Sequence, residues 1–314
     1  MHRRTLLRAG GMAVAGFAGA PAATAAPQAA LAAAPPGRDP DRTPFVAVRD
    51  GVRIFYKDWG NGPPVVFCHG GVLGADMWEY QTAALSRQGL RCVAHDRRGC
   101  ARSSHPGRGY DFDTFADDLA ALMEHLDLRD ATLVGHSMGC AEIARYLSRH
   151  GARRVARAVL VATTTPFLLK TEDNPDGIDR QVFDGMIAEL ERDRPRYTTL
   201  SAGPFFGIGL PNVTVSPDMI QWGVGLALQA CPIATIDVLR AFSEIDFRPD
   251  MLAFTMPTLI VHGRADQGAP LALTAEATAR RIPGSRLEVY DTAHGLFITE
   301  KERLNRDIAS FVRG

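Results

Sequence analysis

Short apolar runs alternate with amphipathic stretches along most of the chain. Pro64 to Cys68 is continuously apolar, Leu90 to Ala94 is apolar but for Arg91, Ala131 to Val134 but for Thr132, and Val155 to Val161 but for Arg157. Runs of that length and composition predict strands covered on both faces, as in a parallel sheet. Phe112 to Leu126 has Phe115, Leu119, Leu122 and Leu126 at helical spacing, with Asp117, Asp118 and Glu124 on the opposite side. Asp76 to Ser86 and Cys140 to His150 also read as helices. Phe45 to Val48 and Val52 to Trp59 read as strands joined at Asp50-Gly51, a hairpin signal, and Asn61-Gly62-Pro63 reads as a further turn.

The rhythm breaks from Thr163 to about Pro249, which is rich in Pro, Gly and aromatic residues. Helical pieces are expected near Arg180–Asp193, Asp218–Ala230 and Ile236–Phe242. We read about 166–249 as a cap inserted between two strands, with most of its aromatics forming its own core. The alternation then resumes with strand Thr258 to Val261, helix Leu271 to Arg281 and strand Leu287 to Tyr290. A last helix places Leu304, Ile308 and Phe311 on one face. Strands alternating with helices predict an α/β fold: a mostly parallel sheet, helices on both faces and an inserted helical cap.

The first 34 residues stand apart. Arg3-Arg4 opens a basic start, a run from Ala9 to Ala20 is built mostly from Ala and Gly, and small-residue cleavage candidates such as Ala23-Thr24-Ala25 follow. This is the layout of a twin-arginine export signal. The run is too short and too weakly apolar to span a bilayer. Export to the periplasm or the exterior is therefore expected. Residues 35–314 form the remaining domain, with Pro35 to Pro44 as a linker.

Composition narrows the function classes. Lys+Arg and Asp+Glu are both 35, so the chain carries no net charge. Nothing in that balance marks a nucleic-acid surface or a polybasic membrane patch. Hydrophobic residues at 46% and charged residues at 22% are ordinary for a globular enzyme-sized domain. Cys68, Cys92, Cys100, Cys140 and Cys231 show neither metal-ligand spacing nor a paired framework, and most read as small buried apolar residues. No His, Asp and Glu set has zinc-like spacing. No metal and no cofactor are expected, and a homo-oligomer is left open.

Candidate chemistry centres on Gly135-His136-Ser137-Met138-Gly139. A serine at the tip of a sharp strand-to-helix turn needs its neighbours two before and two after to lack a Cβ, because chain passes close by. A serine hydroxyl is a weak nucleophile and needs a base, which in turn needs an acid to orient it. Asp266 is the candidate acid and His294 the candidate base, each just beyond a predicted strand. Asp291 is a rival acid. His69, His136 and His262 read as supporting or structural residues; His95, His105, His125 and His150 read as surface or packing residues. The N–H of Met138 and that of Gly71 are the candidate donors to an oxyanion. In parallel sheets such groups gather at the carboxyl ends of the strands.

The same residues carry a resemblance. The chain resembles the α/β-hydrolase superfamily, and more narrowly its cofactor-free haloperoxidase, perhydrolase and arylesterase branch. The matching stretches are His69-Gly70 through Ala75-Asp76-Met77-Trp78, Asp96-Arg97-Arg98-Gly99 with Arg102-Ser103-Ser104, Thr114 to Leu119, the elbow with Glu142 to His150, Phe205-Phe206-Gly207, Ala241 to Glu244 and His294-Gly295-Leu296. The resemblance implies the α/β-hydrolase fold, Ser137, Asp266 and His294 as the triad, and cleavage of small-molecule esters through an acyl-enzyme. It also implies peracid formation in some members, where hydrogen peroxide replaces water. Gly71 and Val72 stand where members usually carry tryptophan and then proline or an aliphatic residue, which implies a wider or reshaped acyl pocket. Cys140 replaces the usual glycine after the elbow, and Arg264 and Gly268 alter the acid loop.

Overall fold

Eight strands join into one sheet in the computed structural model, which describes residues 43–314. The expected export signal at 1–34 and the linker up to residue 42 lie outside the described residues. The strands are β1 (Phe45–Ala47), β2 (Arg53–Trp59), β3 (Pro64–Cys68), β4 (Arg91–His95), β5 (Ala131–His136), β6 (Val155–Val161), β7 (Thr258–Gly263) and β8 (Arg286–Tyr290). Their order across the sheet is β1-β2-β4-β3-β5-β6-β7-β8. β2 runs antiparallel to both β1 and β4, and every other pair is parallel. The β1–β2 turn places Asp50 at φ 66° and Gly51 at φ 72°, the two left-handed positions that an Asp-Gly pair tolerates.

Helices cover both faces: α1 (Glu79–Arg87), α2 (Phe112–His125) and α3 (Met138–His150), then, beyond the inserted region, α7 (Ala275–Arg281), α8 (Leu296–Thr299) and α9 (Lys301–Arg313). The inserted helices between β6 and β7 are α4 (Arg180–Phe206), α5 (Pro217–Leu228) and α6 (Pro232–Glu244). Alternate strand residues feed opposite cores. Val66, Cys68 and Leu133 pack with Phe115, Leu119 and Ile143 on one side. Val65, Phe67 and Val134 pack with Leu85, Leu304 and Ile308 on the other. Burial on both faces is why these strands read as largely apolar runs, and each such side chain contributes roughly 1.5–3 kcal/mol relative to exposure.

The inserted region departs most from its sequence pattern. α4 continues past the expected end at Asp193 to Phe206. Asp193 leaves the helical backbone (φ −157°, ψ 80°), and its side chain accepts from the N–H of Arg196. Pro195 then falls in the first turn of a new helical segment, where it lacks no needed N–H. Phe167 and Phe183 do form a small core of this region with Ile187 and Leu190. Phe205, Phe206 and Trp222 instead face a cavity.

Candidate active site

Ser137 follows the last residue of β5 and precedes α3. Its backbone sits at φ 55°, ψ −120°, a conformation that costs about 1–3 kcal/mol for a residue with a Cβ. Its N–H is tied to the carbonyl of Val161 at 2.9 Å, at the end of the neighbouring strand. The glycine demand is steric at both flanks. A Cβ on Gly135 would lie 2.6 Å from the backbone of Gly139, and one on Gly139 would lie 2.4 Å from the carbonyl oxygen of Cys68.

The candidate acid and base come from the loops after β7 and β8. His294 Nδ1–H donates to Asp266 Oδ2 at 2.6 Å. The other carboxylate oxygen of Asp266 accepts from the N–H groups of Gly268 at 2.9 Å and Ala269 at 2.8 Å. Burial alone would raise the Asp266 carboxyl, but the adjacent His294 and its hydrogen bond outweigh that and hold it below the ordinary value. With Nδ1 engaged, Nε2 is the nitrogen of His294 left to take a proton from another group. Asp291, the rival acid, is an exposed residue paired with Arg264 at 3.0 Å, so Arg264 is spent on a surface contact.

Ser137 and His294 line one cavity of about 290 Å³, roofed by α4, α5 and α6. Leu190, Phe205, Phe206, Trp222 and Val238 supply apolar walls, and among the described residues no aspartate, glutamate, lysine or arginine lines it. Its size lies near the small end of the ~300–1,000 Å³ usual for small-molecule sites. Gly71 also lines it, at φ 35°, and a Cβ built there meets no atom within 4 Å. The space beside this loop is therefore open. Met138 is the first residue of α3, where backbone N–H groups lack partners within the helix and the helix dipole favours negative charge.

His136 links the elbow to the base. It is fully buried, its Nε2–H donates to the carbonyl of His294 at 3.0 Å, and its ring lies 4.8 Å from the ring of His294. Burial, with the nearby His294, pushes its pKa down to about 3, so the ring is neutral. A Cβ on Gly70 would strike its Nδ1 at 2.2 Å. His262 is buried beside the acid and donates to the carbonyl of Ala269 at 2.7 Å. Both act as supports, while His105, His125 and His150 lie at the surface.

Sequence patterning did not single out Arg97 and Glu142, which form a fully buried ion pair at 2.6 Å beneath the Gly70-Gly71 loop. A usable signal existed: Glu142 interrupts the apolar run of Gly139 to Ala144, and a charge in such a run needs a buried partner. Among the described residues, Cys68, His95 and Glu142 bring ligand-type atoms within 4.8 Å of one another. That group suits a cation poorly, because Arg97 already neutralises Glu142 and burial pushes the Cys68 thiol up, keeping it protonated. The other cysteines are free too, and Cys140 donates to the carbonyl of Gly135 at 3.2 Å.

Comparison with known proteins gives the chain's family and fold. A family model described as alpha/beta hydrolase fold matches residues 63–301. The chain is 44% identical over 273 residues to a non-heme haloperoxidase of Rhodococcus erythropolis, covering 86% of this chain and 99% of that protein. It is 39% identical over 275 residues to a bifunctional esterase/perhydrolase of Acinetobacter calcoaceticus, with 86% and 99% covered. Among solved structures, an esterase from Exiguobacterium antarcticum superposes with a TM-score of 0.82 at 32% identity, covering 86% of this chain and 99% of that one.

Proposed function

The chain belongs to the alpha/beta hydrolase family, in its haloperoxidase, perhydrolase and esterase group, and we propose that it is a serine carboxylesterase acting on small to medium uncharged esters or lactones. One observation carries the reading: a serine on a strained elbow shares a cavity with an imidazole whose far nitrogen is held by a buried carboxylate at 2.6 Å. Ser137 Oγ attacks the ester carbonyl, and His294 Nε2 takes its proton. Asp266 keeps the imidazole in the tautomer that accepts there and stabilises its charge. The N–H groups of Gly71 and Met138 face the developing oxyanion. His294 then returns the proton to the leaving alcohol, and water, activated in the same way, releases the acid.

The apolar, uncharged walls support uncharged acyl groups, and the modest volume supports short to medium ones. Turnover of p-nitrophenyl esters should peak between acetate and octanoate and fall steeply by palmitate. Faster turnover of palmitate than of butyrate would discard the size argument.

A second activity is favoured by the named relatives. Hydrogen peroxide attacking the same acyl-enzyme would release a peracid, which oxidises halide without metal or haem. Halogenation of a dye by peroxide and bromide should require added acetate. Halogenation at the same rate without any carboxylic acid would rule out the peracid route.

We also infer export, from Arg3-Arg4 and the apolar run that follows them. Expressed in a bacterium with a twin-arginine system, the full chain should reach the periplasm or medium. Changing Arg3 and Arg4 to lysine should hold it in the cytoplasm, and an unchanged distribution would remove the inference.

A further inference from the structure

The loop that carries Gly71 is tied down on both sides of that residue. The carbonyl of Gly70 accepts from the N–H of Leu73 at 3.0 Å and from His69 Nδ1 at 3.0 Å. A peptide is planar and trans, so fixing that carbonyl points the N–H of Gly71 the opposite way. The carbonyl of Gly71 accepts from Arg97 Nη1 at 3.0 Å, and that of His69 from Arg97 Nη2 at 2.7 Å. The backbone N–H of Arg97 donates to His69 Nε2 at 2.9 Å, which puts the proton of the neutral ring on Nδ1, facing Gly70. Burial and the Arg97 charge both hold His69 neutral. Nη1 also lies 3.7 Å from Met138 Sδ, so one guanidinium touches both residues whose N–H groups are the candidate oxyanion donors.

Glu142 fixes that guanidinium in turn. Its Oε2 accepts from Arg97 Nε at 2.8 Å and Nη2 at 2.6 Å, while Oε1 lies 3.3 Å from His95 Nε2. Arg97 is 1% exposed and Glu142 0%. Burying both charges is expensive, and such pairs often add little net stability compared with apolar residues of the same size. Only the planar fork of arginine serves a carboxylate and two carbonyls together; a lysine ammonium is a single point of attachment.

We propose that Arg97, braced by Glu142, is a positioning residue that preorganises the oxyanion loop by fixing the carbonyls of His69 and Gly71. It touches neither substrate nor the reacting atoms. The proposal rests on Ser137 as nucleophile and Gly71 as oxyanion donor. Its energetic sense is that donors set before substrate arrives need no reorganisation during reaction.

The test replaces both charges at once, Arg97→Met with Glu142→Leu, so that no buried charge is left unpaired. The doubly substituted protein should keep its cooperative thermal transition. Its kcat should fall between about 10- and 100-fold with KM within about twofold, since a misplaced donor costs on that order in rate. Affinity for an alkylboronic acid, which adds to the serine and places an oxygen in the same hole, should weaken by the same factor. A folded double variant with wild-type kcat and boronate affinity would overturn the proposal. Should that variant not fold, Arg97→Lys decides: kcat at least tenfold down with KM unchanged supports the proposal, and wild-type kcat overturns it. Ser137→Ala, run alongside, separates this outcome from failure of the esterase reading, which would show as turnover that survives loss of the hydroxyl.

Discussion

Ser137→Ala should lower kcat on a chromogenic short-chain ester by at least about 10⁴-fold, with the fold intact. The substitution removes one oxygen and nothing else. Alanine keeps the Cβ, so the backbone at φ 55° and the bond from its N–H to Val161 persist. The oxyanion donors and the cavity also remain, and they sustain a residual rate above the uncatalysed one. What is lost is the covalent acyl intermediate, which no other residue at the elbow can form. A fluorophosphonate probe offers an independent readout: it should label wild-type protein on the peptide that contains Ser137 and leave the variant unmodified. Turnover within tenfold of wild type, or labelling at another serine, would remove Ser137 from the mechanism and the hydrolase reading with it.

The parts legible in the sequence are those fixed by local sterics or by burial on two faces. Val65 to Cys68 is apolar throughout, and Val155 to Val161 is apolar but for Arg157, because helices cover both sides of the sheet. Gly135 and Gly139 declare the elbow because a Cβ at either would strike backbone at 2.6 Å or less. Asp266 and His294 were legible by their place beyond strand ends, since a parallel sheet gathers such loops at one edge. The less legible parts depend on contacts distant in sequence or on one residue's backbone choice. The helical piece expected over Arg180–Asp193 does not stop there, because Asp193 makes a break and caps a further segment that Pro195 helps to begin. The bond between Arg97 and Glu142 joins the end of one strand to a helix 45 residues later, and no periodicity reports it. Phe205, Phe206 and Trp222 cannot be told from the core aromatics Phe167 and Phe183 by type or spacing; only the packing of α4 and α5 over the sheet assigns them to the cavity.

Asp266→Asn should depress kcat by roughly 10⁴-fold while leaving the loop in place, and the reason lies in how the carboxylate is held. Oδ1 accepts two backbone N–H groups, from Gly268 and Ala269, so the carbonyl oxygen of an asparagine is drawn to that side. The amide NH₂ then faces His294 Nδ1 where an acceptor stood at 2.6 Å. Nδ1 must now accept, which moves the ring proton to Nε2, and a protonated Nε2 cannot take the proton of Ser137. The same site has a stability signature. Burial raises the Asp266 carboxyl, but its interactions with His294 more than reverse this, so its folded pKa lies below the ordinary 3.8. A lowered carboxyl contributes stability above the unfolded value and loses it as pH falls through the folded one. The stability gap between wild type and Asp266→Asn should therefore be full at neutral pH and close below about pH 4. Asp291→Asn is the control: that residue is exposed and paired with Arg264 at the surface, so its loss should leave turnover unchanged. Loss of activity in Asp291→Asn with near-normal activity in Asp266→Asn would transfer the acid's role from one strand-end loop to the other.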